Sequence, residues 1–502
     1  MSKEPVGTFC LVLHSHLPWL AHHGRWPVGE EWLYQSWAGS YLPVVQMLRR
    51  LAEEGLQNLL TLGVTPVLAA QLDDAHCLRG MHDWLGDWQL RAHAAAGRRE
   101  DAPLRELAAH EHRAAGAAFA EFETHWRHGG SPALRRLVDA NAIELLGGPL
   151  THPFQPLMQP RLRDFTLRAG LADTASRIGT RPRGIWAPEC GYDPGMEHGY
   201  AAAGVQHFLV DGPALHGDTS AARTVGDTDV VCFGRDLEVS YKVWSPRSGY
   251  PGHAAYRDFH TYDHPSGLKP ARVTGRNVAP QDKAPYDPSR AAAAVQRHAA
   301  EFVEVVRARL ASLAQRNGGP GLVVAAYDTE LFGHWWHEGP AWLEAVLRAL
   351  PEAGVRVTTL QGAVQAGCVG GPVQLPASSW GSGKDWRVWD GGQVSDLVTL
   401  NADVTRTALS TVDELLKEHG RNRIADQLLR ETLLTLSSDW AFMVSKDSAP
   451  DYARTRAQTH AHAVYEIANA VQTGGPAAEL AARWRWADGP FAALDARTLT
   501  AA

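Results

Sequence analysis

Short, continuously apolar runs alternate with longer stretches of helical periodicity along most of this chain. An apolar run without polar alternation, placed between helices, is typical of a strand in a parallel sheet that is covered on both faces. Regular alternation of such strands with helices predicts an α/β barrel. The predicted strands cover residues 8–14, 58–62, 142–146, 184–187, 207–210, 238–244, 322–327 and 355–360.

Two parts of the chain depart from this alternation. Residues 73–140 are rich in Ala, Arg, Glu and His and contain no strand-like run, so they predict a helical insertion. From residue 390 onward the pattern is helical, which predicts a C-terminal helical domain. We therefore assign residues 1–389 to the barrel with its insertion, and residues 390–502 to the helical domain.

Composition excludes several classes of partner. The formal net charge is −7 and no run is rich in Lys or Arg, which argues against nucleic acid and anionic membranes as partners. No apolar stretch reaches the length of about 18 residues that a membrane-spanning helix needs. The five cysteines are scattered and form no CxxC pair, a pattern that favours the reducing cytoplasm over a disulfide framework.

Two carboxylates, Glu189 and Asp328, each follow directly on an apolar run. Glu189 stands between Trp186 and Tyr192, and Asp328 precedes a His-Trp-Trp sequence. Paired carboxylates cleave glycosidic bonds, one as acid and the other as nucleophile, and aromatic rings suit the faces of sugars. Helix capping or ion pairing is the alternative for each. We predict catalysis, because a charge among apolar neighbours is costly unless it is used or paired.

Three histidines stand close to predicted strand ends. His14 and His16 follow the first strand and, two residues apart on an extended chain, point the same way. His152 follows a Gly/Pro turn after the third strand. Because the carboxyl ends of barrel strands form the active-site face, these residues predict a polar cluster that binds sugar hydroxyls or a metal. A structural role is the alternative for each histidine.

The 18 tryptophans exceed what core packing usually requires. Trp380 and Trp389 lie in a Gly-rich segment and are predicted to be exposed loop residues that bind a ligand. Asp439 and Trp440, in the helical part, fit a helix cap and a core residue as well as they fit a site.

Five motifs, in order, resemble those of glycoside hydrolase family 57, and within it the 1,4-α-glucan branching enzymes. The matching segments are His-Ser-His-Leu-Pro-Trp from His14, Gly-Gly-Pro-Leu-Thr-His from Gly147, Trp-Ala-Pro-Glu-Cys-Gly-Tyr from Trp186, Tyr-Asp-Thr-Glu-Leu-Phe-Gly-His-Trp-Trp from Tyr327, and Ser-Ser-Asp-Trp-Ala-Phe from Ser437. The resemblance spans nearly the whole chain.

The resemblance implies a (β/α)7 barrel with a helical insertion and a C-terminal helical domain that completes the cleft. It makes Glu189 the nucleophile and Asp328 the general acid/base, and it implies no metal and no organic cofactor. Substrate-binding roles are expected for His14, His16, Trp19, His152, Trp186, Trp244, Arg257, His334, Trp380, Trp389 and Asp439.

The expected reaction is cleavage of an α-1,4-glucan and formation of an α-1,6 branch through a glycosyl-enzyme intermediate. One departure from the branching enzymes is that residues 213–231, where they carry a long loop with a tyrosine, are short here and contain no tyrosine. The alternatives are an α-amylase-like hydrolase or a 4-α-glucanotransferase on the same scaffold. A metal-dependent barrel hydrolase that uses His14, His16 and His152, and a non-catalytic glucan-binding protein, are further alternatives.

Overall fold

The computed structural model describes residues 5–97, 102–245, 247–417 and 420–499, and it has the predicted α/β fold. Residues 98–101 of the predicted insertion and residues 500–502 of the predicted helical domain lie outside the described residues. The strands are β1 Gly7–Ser15, β2 Leu60–Val64, β3 Ile143–Leu146, β4 His207–Asp211, β5 Ala222–Val225, β6 Val231–Arg235, β7 Gly321–Asp328, β8 Arg356–Val357 and β9 Val369–Val373.

Seven parallel strands close into a barrel. β1 pairs with β2 on one side and with β7 on the other, and β2 pairs with β3. Residues 184–187 form the next barrel strand. It is joined by single parallel bridges of Ile185 with Gly147 and of Gly184 with β4. β4 pairs with β6, and a hydrogen bond from the Asp236 N–H to the Val324 carbonyl (2.8 Å) joins β6 to β7. The (β/α)7 prediction is confirmed.

Helices cover the barrel and continue beyond it. They are α1 Gly29–Ser36, α2 Leu42–Glu53, α3 Pro66–Leu72, α4 Ala75–Ala96, α5 Ala102–His125, α6 Gly130–Asp139, α7 Pro160–Ile178, α8 Met196–Ala202, α9 Leu237–Trp244, α10 Pro288–Asn317, α11 Gly339–Glu352, α12 Leu360–Gln365, α13 Arg387–Asp390, α14 Ser395–Leu415, α15 Arg423–Thr435, α16 Ser438–Ser445, α17 Pro450–Thr473 and α18 Ala477–Ala487. A π-helical turn, Trp37–Tyr41, joins α1 to α2.

Two of the predicted strands are wrong. Residues 238–244 lie in α9, because the Asp236 carboxylate caps this helix by accepting a hydrogen bond from the Val239 N–H (3.1 Å). The barrel strand in this region is β6, immediately before it. Of residues 355–360, only the two residues of β8 pair as a strand, since Thr359 caps α12 and turns the chain into a helix.

The insertion and the C-terminal part are helical, as predicted. α4, α5 and α6 account for the described residues of the insertion, with α4 packed along α5. α14 to α18 pack against one another at the C-terminal end. Buried residues of these helices, such as Leu428 and Val464, belong to the same hydrophobic core as Leu13 and Val323 of the barrel strands. The helical part is therefore packed firmly on the barrel. The exact domain boundaries remain a prediction.

Within the described ranges, no helix combines the length and the apolar content that a membrane span needs. None of the five cysteines is in a disulfide, and four of them are buried.

Candidate active site

Glu189 lies in a short turn, Pro188–Cys190, directly after the barrel strand of residues 184–187. Its backbone has φ 61°, in the left-handed region that residues with a side chain seldom adopt. Cys190 follows with φ 50°. Such a conformation persists only where its surroundings enforce it, and it is most frequent at functional sites. The turn directs a 7% exposed carboxylate into the barrel mouth.

Two hydrogen bonds fix the Glu189 carboxylate. The indole N–H of Trp380 donates to Oε2 (2.8 Å), and the Ser438 hydroxyl donates to Oε1 (2.8 Å). Burial raises the pKa of Glu189 to about 7, although both hydrogen bonds favour its ionised form. Ser438 comes from α16, so the helical domain contributes directly to this carboxylate. Sequence reasoning missed Ser438, although it lies within the fifth motif.

Asp328 is the last residue of β7 and stands beside His14 of β1 in the parallel register. Both therefore lie at the carboxyl ends of neighbouring strands, where barrel active sites form. Burial raises the pKa of Asp328 to about 6, against the opposing effect of the charges of Arg235 and His16. A carboxyl group with a raised pKa can carry the proton that a general acid needs.

The three predicted histidines meet in one cluster. The ring of His16 stacks on that of His152 at 3.8 Å, and that of His14 lies 5.1 Å from His152. Burial keeps the pKa of both His14 and His152 well below the usual value, so both rings are neutral. His16 Nε2 is 2.8 Å from Oδ2 of Asp439. The structure thus brings the first, second and fifth motifs together.

The hydrogen-bond pattern sets the ring tautomers. Ser438 gives its hydroxyl proton to Glu189, so it accepts a hydrogen bond from Nδ1–H of His152 (2.9 Å). Nε2 of His152 is then the acceptor for Nε2–H of His14 (3.1 Å). Hydrogen bonds thus run from His14 to His152, from His152 to Ser438, and from the Ser438 hydroxyl to the carboxylate of Glu189.

The imidazole cluster contains atoms that could bind a cation. One ligand atom each from His16, His152 and Asp439 lies within 4.8 Å of the others. The residues adjacent to these histidines in sequence predict no cysteine or carboxylate ligand beside them, and this is wrong for the fold, because Asp439 contacts His16. The stacked rings of His16 and His152 keep their lone pairs in two nearly parallel planes, however, whereas lone pairs that share a zinc ion must converge on one point. The absence of a metal stays a prediction.

Aromatic rings line the space around the carboxylates. Trp186 stacks on His14 with ring centroids 4.2 Å apart, and Trp380 meets Trp186 edge-on at 4.9 Å. Trp244, at the end of α9, is 39% exposed and lies 6.4 Å from Trp335. Trp186 is only 2% exposed, so Trp380 and Trp244 are the rings of this group that can face a ligand. Trp19 is buried instead, and its indole N–H donates to the Ala487 carbonyl (3.2 Å), which ties the first motif to the C-terminal helices.

Trp389 and Arg257, which are also predicted to bind substrate, are buried by packing within the fold. Trp389 is 2% exposed on the short helix α13 and stacks on Phe154 with centroids 4.5 Å apart, so its description as an exposed loop residue is wrong. Arg257 is also buried, and its guanidinium pairs with Glu111 of the insertion (2.8 Å). Its charge is therefore satisfied within the fold. Flanking glycines suggested a loop at Trp389, whereas the packing of α16 against α13 buries it.

His334 lies beside a small cavity with a volume of about 50 Å³, together with Trp335 and Lys269. Burial lowers the pKa of His334 to about 3, so its ring is neutral and can exchange hydrogen bonds with hydroxyl groups. The structure places His334 in the turn after β7, six residues beyond Asp328.

Glu330 and Arg235 are further site residues that the sequence did not single out as leading candidates. Glu330 accepts hydrogen bonds from the Tyr41 hydroxyl and the His16 N–H (3.1 Å), and burial, followed by the charge of Asp328, raises its pKa to about 8. Arg235 ends β6, pairs with Asp211 (2.8 Å) and lies 5.3 Å from the Trp380 ring centroid. Its position at a strand end was hidden because β6 itself was missed.

Comparison with known proteins places these features in a family. The model described as glycosyl hydrolase family 57 matches residues 10–368, and the model described as 1,4-alpha-glucan branching enzyme, C-terminal, matches residues 402–499. A probable 1,4-alpha-glucan branching enzyme of Mycobacterium tuberculosis is 63% identical over 521 residues, covering 99% of each chain. A 1,4-alpha-glucan branching enzyme of Thermococcus kodakarensis is 30% identical, covering 92% of this chain and 73% of that protein.

A solved structure has the same architecture. The crystal structure of a GH57-type branching enzyme from Pyrococcus horikoshii superimposes with a TM-score of 0.92 at 29% identity, covering 98% of this chain and 97% of that chain.

Proposed function

This chain belongs to glycosyl hydrolase family 57, and we propose that it is a 1,4-α-glucan branching enzyme that works by a retaining double displacement. The observation that carries the proposal is the setting of Glu189. Its carboxylate is held by Trp380 and Ser438 (2.8 Å each) at the barrel mouth, on the same face as Asp328. Glu189 is buried and Asp328 is half-buried, and each lies at the end of a barrel strand, an arrangement that suits one nucleophile and one general acid.

In the first step Glu189 attacks the anomeric carbon of an α-1,4-linked glucose unit. Asp328 donates its proton to the departing 4-oxygen. The bond between the anomeric carbon and this oxygen therefore breaks without forming a free alkoxide. Glu189 becomes a glycosyl ester and Asp328 becomes a carboxylate. Having lost its proton, Asp328 can then act as the general base of the second step.

In the second step Asp328 takes a proton from the 6-hydroxyl group of an acceptor glucan. The resulting oxygen attacks the glycosyl ester from the opposite side, which forms an α-1,6 bond and frees Glu189. Two inversions give net retention. Retention requires that the carboxyl groups of Glu189 and Asp328 lie about 5–5.5 Å apart. Water in place of the acceptor gives hydrolysis.

The remaining site residues bind and orient the glucan. Trp380, which is half-buried, offers an apolar face next to the nucleophile, and Trp244 offers an exposed face farther out. Trp186 is buried and supports His14 and Trp380 from behind. The His16–Asp439 pair presents polar groups to sugar hydroxyls, and the partly exposed His334 does the same. The expected partner is an α-1,4-glucan rather than nucleic acid or membrane. The five free cysteines suit a cytoplasmic enzyme.

Linkage analysis of the products from amylose tests the proposal. The parent enzyme should produce new α-1,6 linkages, whereas Glu189→Gln and Asp328→Asn should produce almost none. New reducing ends without branches would identify an α-amylase-like hydrolase instead. Redistributed chain lengths without α-1,6 linkages would identify a 4-α-glucanotransferase. Near-normal activity of the Glu189→Gln variant would show that Glu189 is not the nucleophile.

A further inference from the structure

Trp486, at the end of α18, exposes 78% of its surface to solvent. Single apolar side chains on a surface are common, but this ring lies beside other aromatic rings. It lies 5.5 Å from the ring of His22, and His22 stacks on His76 with centroids 4.4 Å apart. A second tryptophan, Trp26, is 67% exposed only four residues beyond His22. The rings of Trp486, His22 and His76 make an aromatic surface that the proposed mechanism does not use.

Hydrogen bonds to buried residues hold this surface in place. The Trp19 indole N–H donates to the carbonyl of Ala487, the residue after Trp486 (3.2 Å). His23 Nε2 is 2.7 Å from Oδ1 of Asp488, a residue with no solvent exposure. The loop after β1 and the end of α18 are thereby fixed to each other. Trp486 therefore stands on a rigid base, which lowers the entropy cost of binding a ligand to it.

Polar groups surround the aromatic faces. His76 Nε2 is 2.8 Å from Oε1 of Glu30, and His22 Nε2 is 3.9 Å from Oδ1 of Asp74. Flat apolar surface beside hydrogen-bonding side chains suits a sugar, which has an apolar face and a rim of hydroxyl groups. The two carboxylates disfavour a nucleic acid, since its phosphates would be repelled.

The surface lies near the active-site cluster along the chain. His22 is six residues after His16, which bonds Asp439 in the catalytic cluster, and six residues span at most about 22 Å. We propose that Trp486, His22 and His76 form an outer platform that binds the distal part of a long α-glucan whose reacting bond lies between Glu189 and Asp328. The ligand class rests on the proposed function.

Two variants test the platform. Trp486→Ala removes the exposed ring, and Leu90→Ala, the matched control, removes a comparably exposed apolar side chain (68%) from α4. Each is combined with Glu189→Gln to measure retention in native gels that contain amylose. Each is also assayed, with Glu189 intact, on long amylose and on maltoheptaose. Trp486→Phe, which keeps a flat ring, tests for rescue.

Trp486→Ala should weaken retention and raise KM for amylose by about three- to tenfold, as expected for one lost stacking contact. Kinetics on maltoheptaose should stay unchanged, Leu90→Ala should match the parent, and Trp486→Phe should recover most of the binding. Equal behaviour of Trp486→Ala and Leu90→Ala overturns the platform. Equal loss on both substrates also overturns it, because the ring then acts on the cleft or the fold. A changed sedimentation coefficient in Trp486→Ala assigns the ring to an interface between copies of the chain.

The platform and the proposed function fail separately. A parent protein that amylose retains through Trp486, but that forms no α-1,6 linkages, refutes the function and supports the platform. A parent that branches amylose with no dependence on Trp486 refutes the platform alone. A parent that neither binds nor branches refutes both.

Discussion

Trp380 holds Glu189 at two points: its indole N–H donates to Oε2, and its backbone N–H donates to the Glu189 carbonyl, both at 2.8 Å. The side chain and the main chain of the carboxylate residue are thus positioned by one partner. The two bonds tie Glu189, whose backbone is left-handed, to the loop that leads to α13.

Trp380→Phe should keep the apolar face but lose the hydrogen bond to Glu189. Because this bond favours the carboxylate, its loss should raise the pKa of Glu189 further and move the acid limb of the kcat/KM profile to higher pH. A hydrogen bond to a charged group contributes about 1.5–3 kcal/mol, so kcat/KM should fall roughly ten- to hundredfold. Trp186→Phe is the matched control, since within the described residues the Trp186 indole N–H has no partner. An unmoved acid limb in Trp380→Phe would contradict the role of this bond.

The pH profile of kcat/KM should be a narrow bell. Glu189 must be ionised to attack, so activity falls as the pH drops below its pKa of about 7. Asp328 must be protonated to act as acid, so activity falls as the pH rises above its pKa of about 6. The productive form is therefore most populated between these values and is a minority of the enzyme there. Initial rates of branching from about pH 4 to about pH 9 measure the profile. A broad plateau across neutral pH would contradict it.

Trp389→Ala should destabilise the protein instead of merely weakening substrate binding. Removing a buried tryptophan costs about 3–5 kcal/mol, and its stack on Phe154 is lost with it. Trp244→Ala, at a partly exposed ring, should leave Tm nearly unchanged and raise KM for amylose by about fivefold, the effect of about 1 kcal/mol of stacking. Thermal melts with kinetics on both variants separate the two roles. Unchanged Tm in Trp389→Ala with a raised KM would restore the binding role of that residue.

We expect branching to be accompanied by a substantial hydrolytic side reaction. Residues 213–231 contain no aromatic side chain, and part of them is held in β5, which pairs with β6 and β9. This segment has little apolar surface with which to keep water from the glycosyl ester. Reducing ends and α-1,6 linkages measured together on amylose give the ratio of the two outcomes. Branching with almost no hydrolysis would mean that another element excludes water.

Chelators should leave activity unchanged, because His16 and Asp439 satisfy each other and the His16 and His152 rings are stacked. The measurement is branching activity after dialysis against a chelator, together with elemental analysis of the purified protein. A stoichiometric metal whose removal abolishes turnover would support the metal-dependent alternative.

The barrel and its two carboxylates were predictable because short-range signals carry them. An unbroken apolar run that stops at a carboxylate is visible in a few residues, as at Asp328 after β7. α9 was misread because Leu237–Trp244 alternates like a strand, and its cap, Asp236, acts through one hydrogen bond. The burial of Trp389 was hidden for another reason, since it depends on Phe154, more than two hundred residues away in the chain. Ser438 likewise meets Glu189 only through tertiary packing.

The bond from Ser438 to Glu189 also makes the site depend on a late part of the chain. Synthesis proceeds from the amino terminus, and every barrel strand precedes residue 438. A nascent chain that ends before α16 contains both carboxylates but lacks the hydroxyl that holds one of them and the aspartate that holds His16. The unfinished barrel cannot assemble this site beside the polymer it would cut. A complete site therefore requires almost the whole polypeptide.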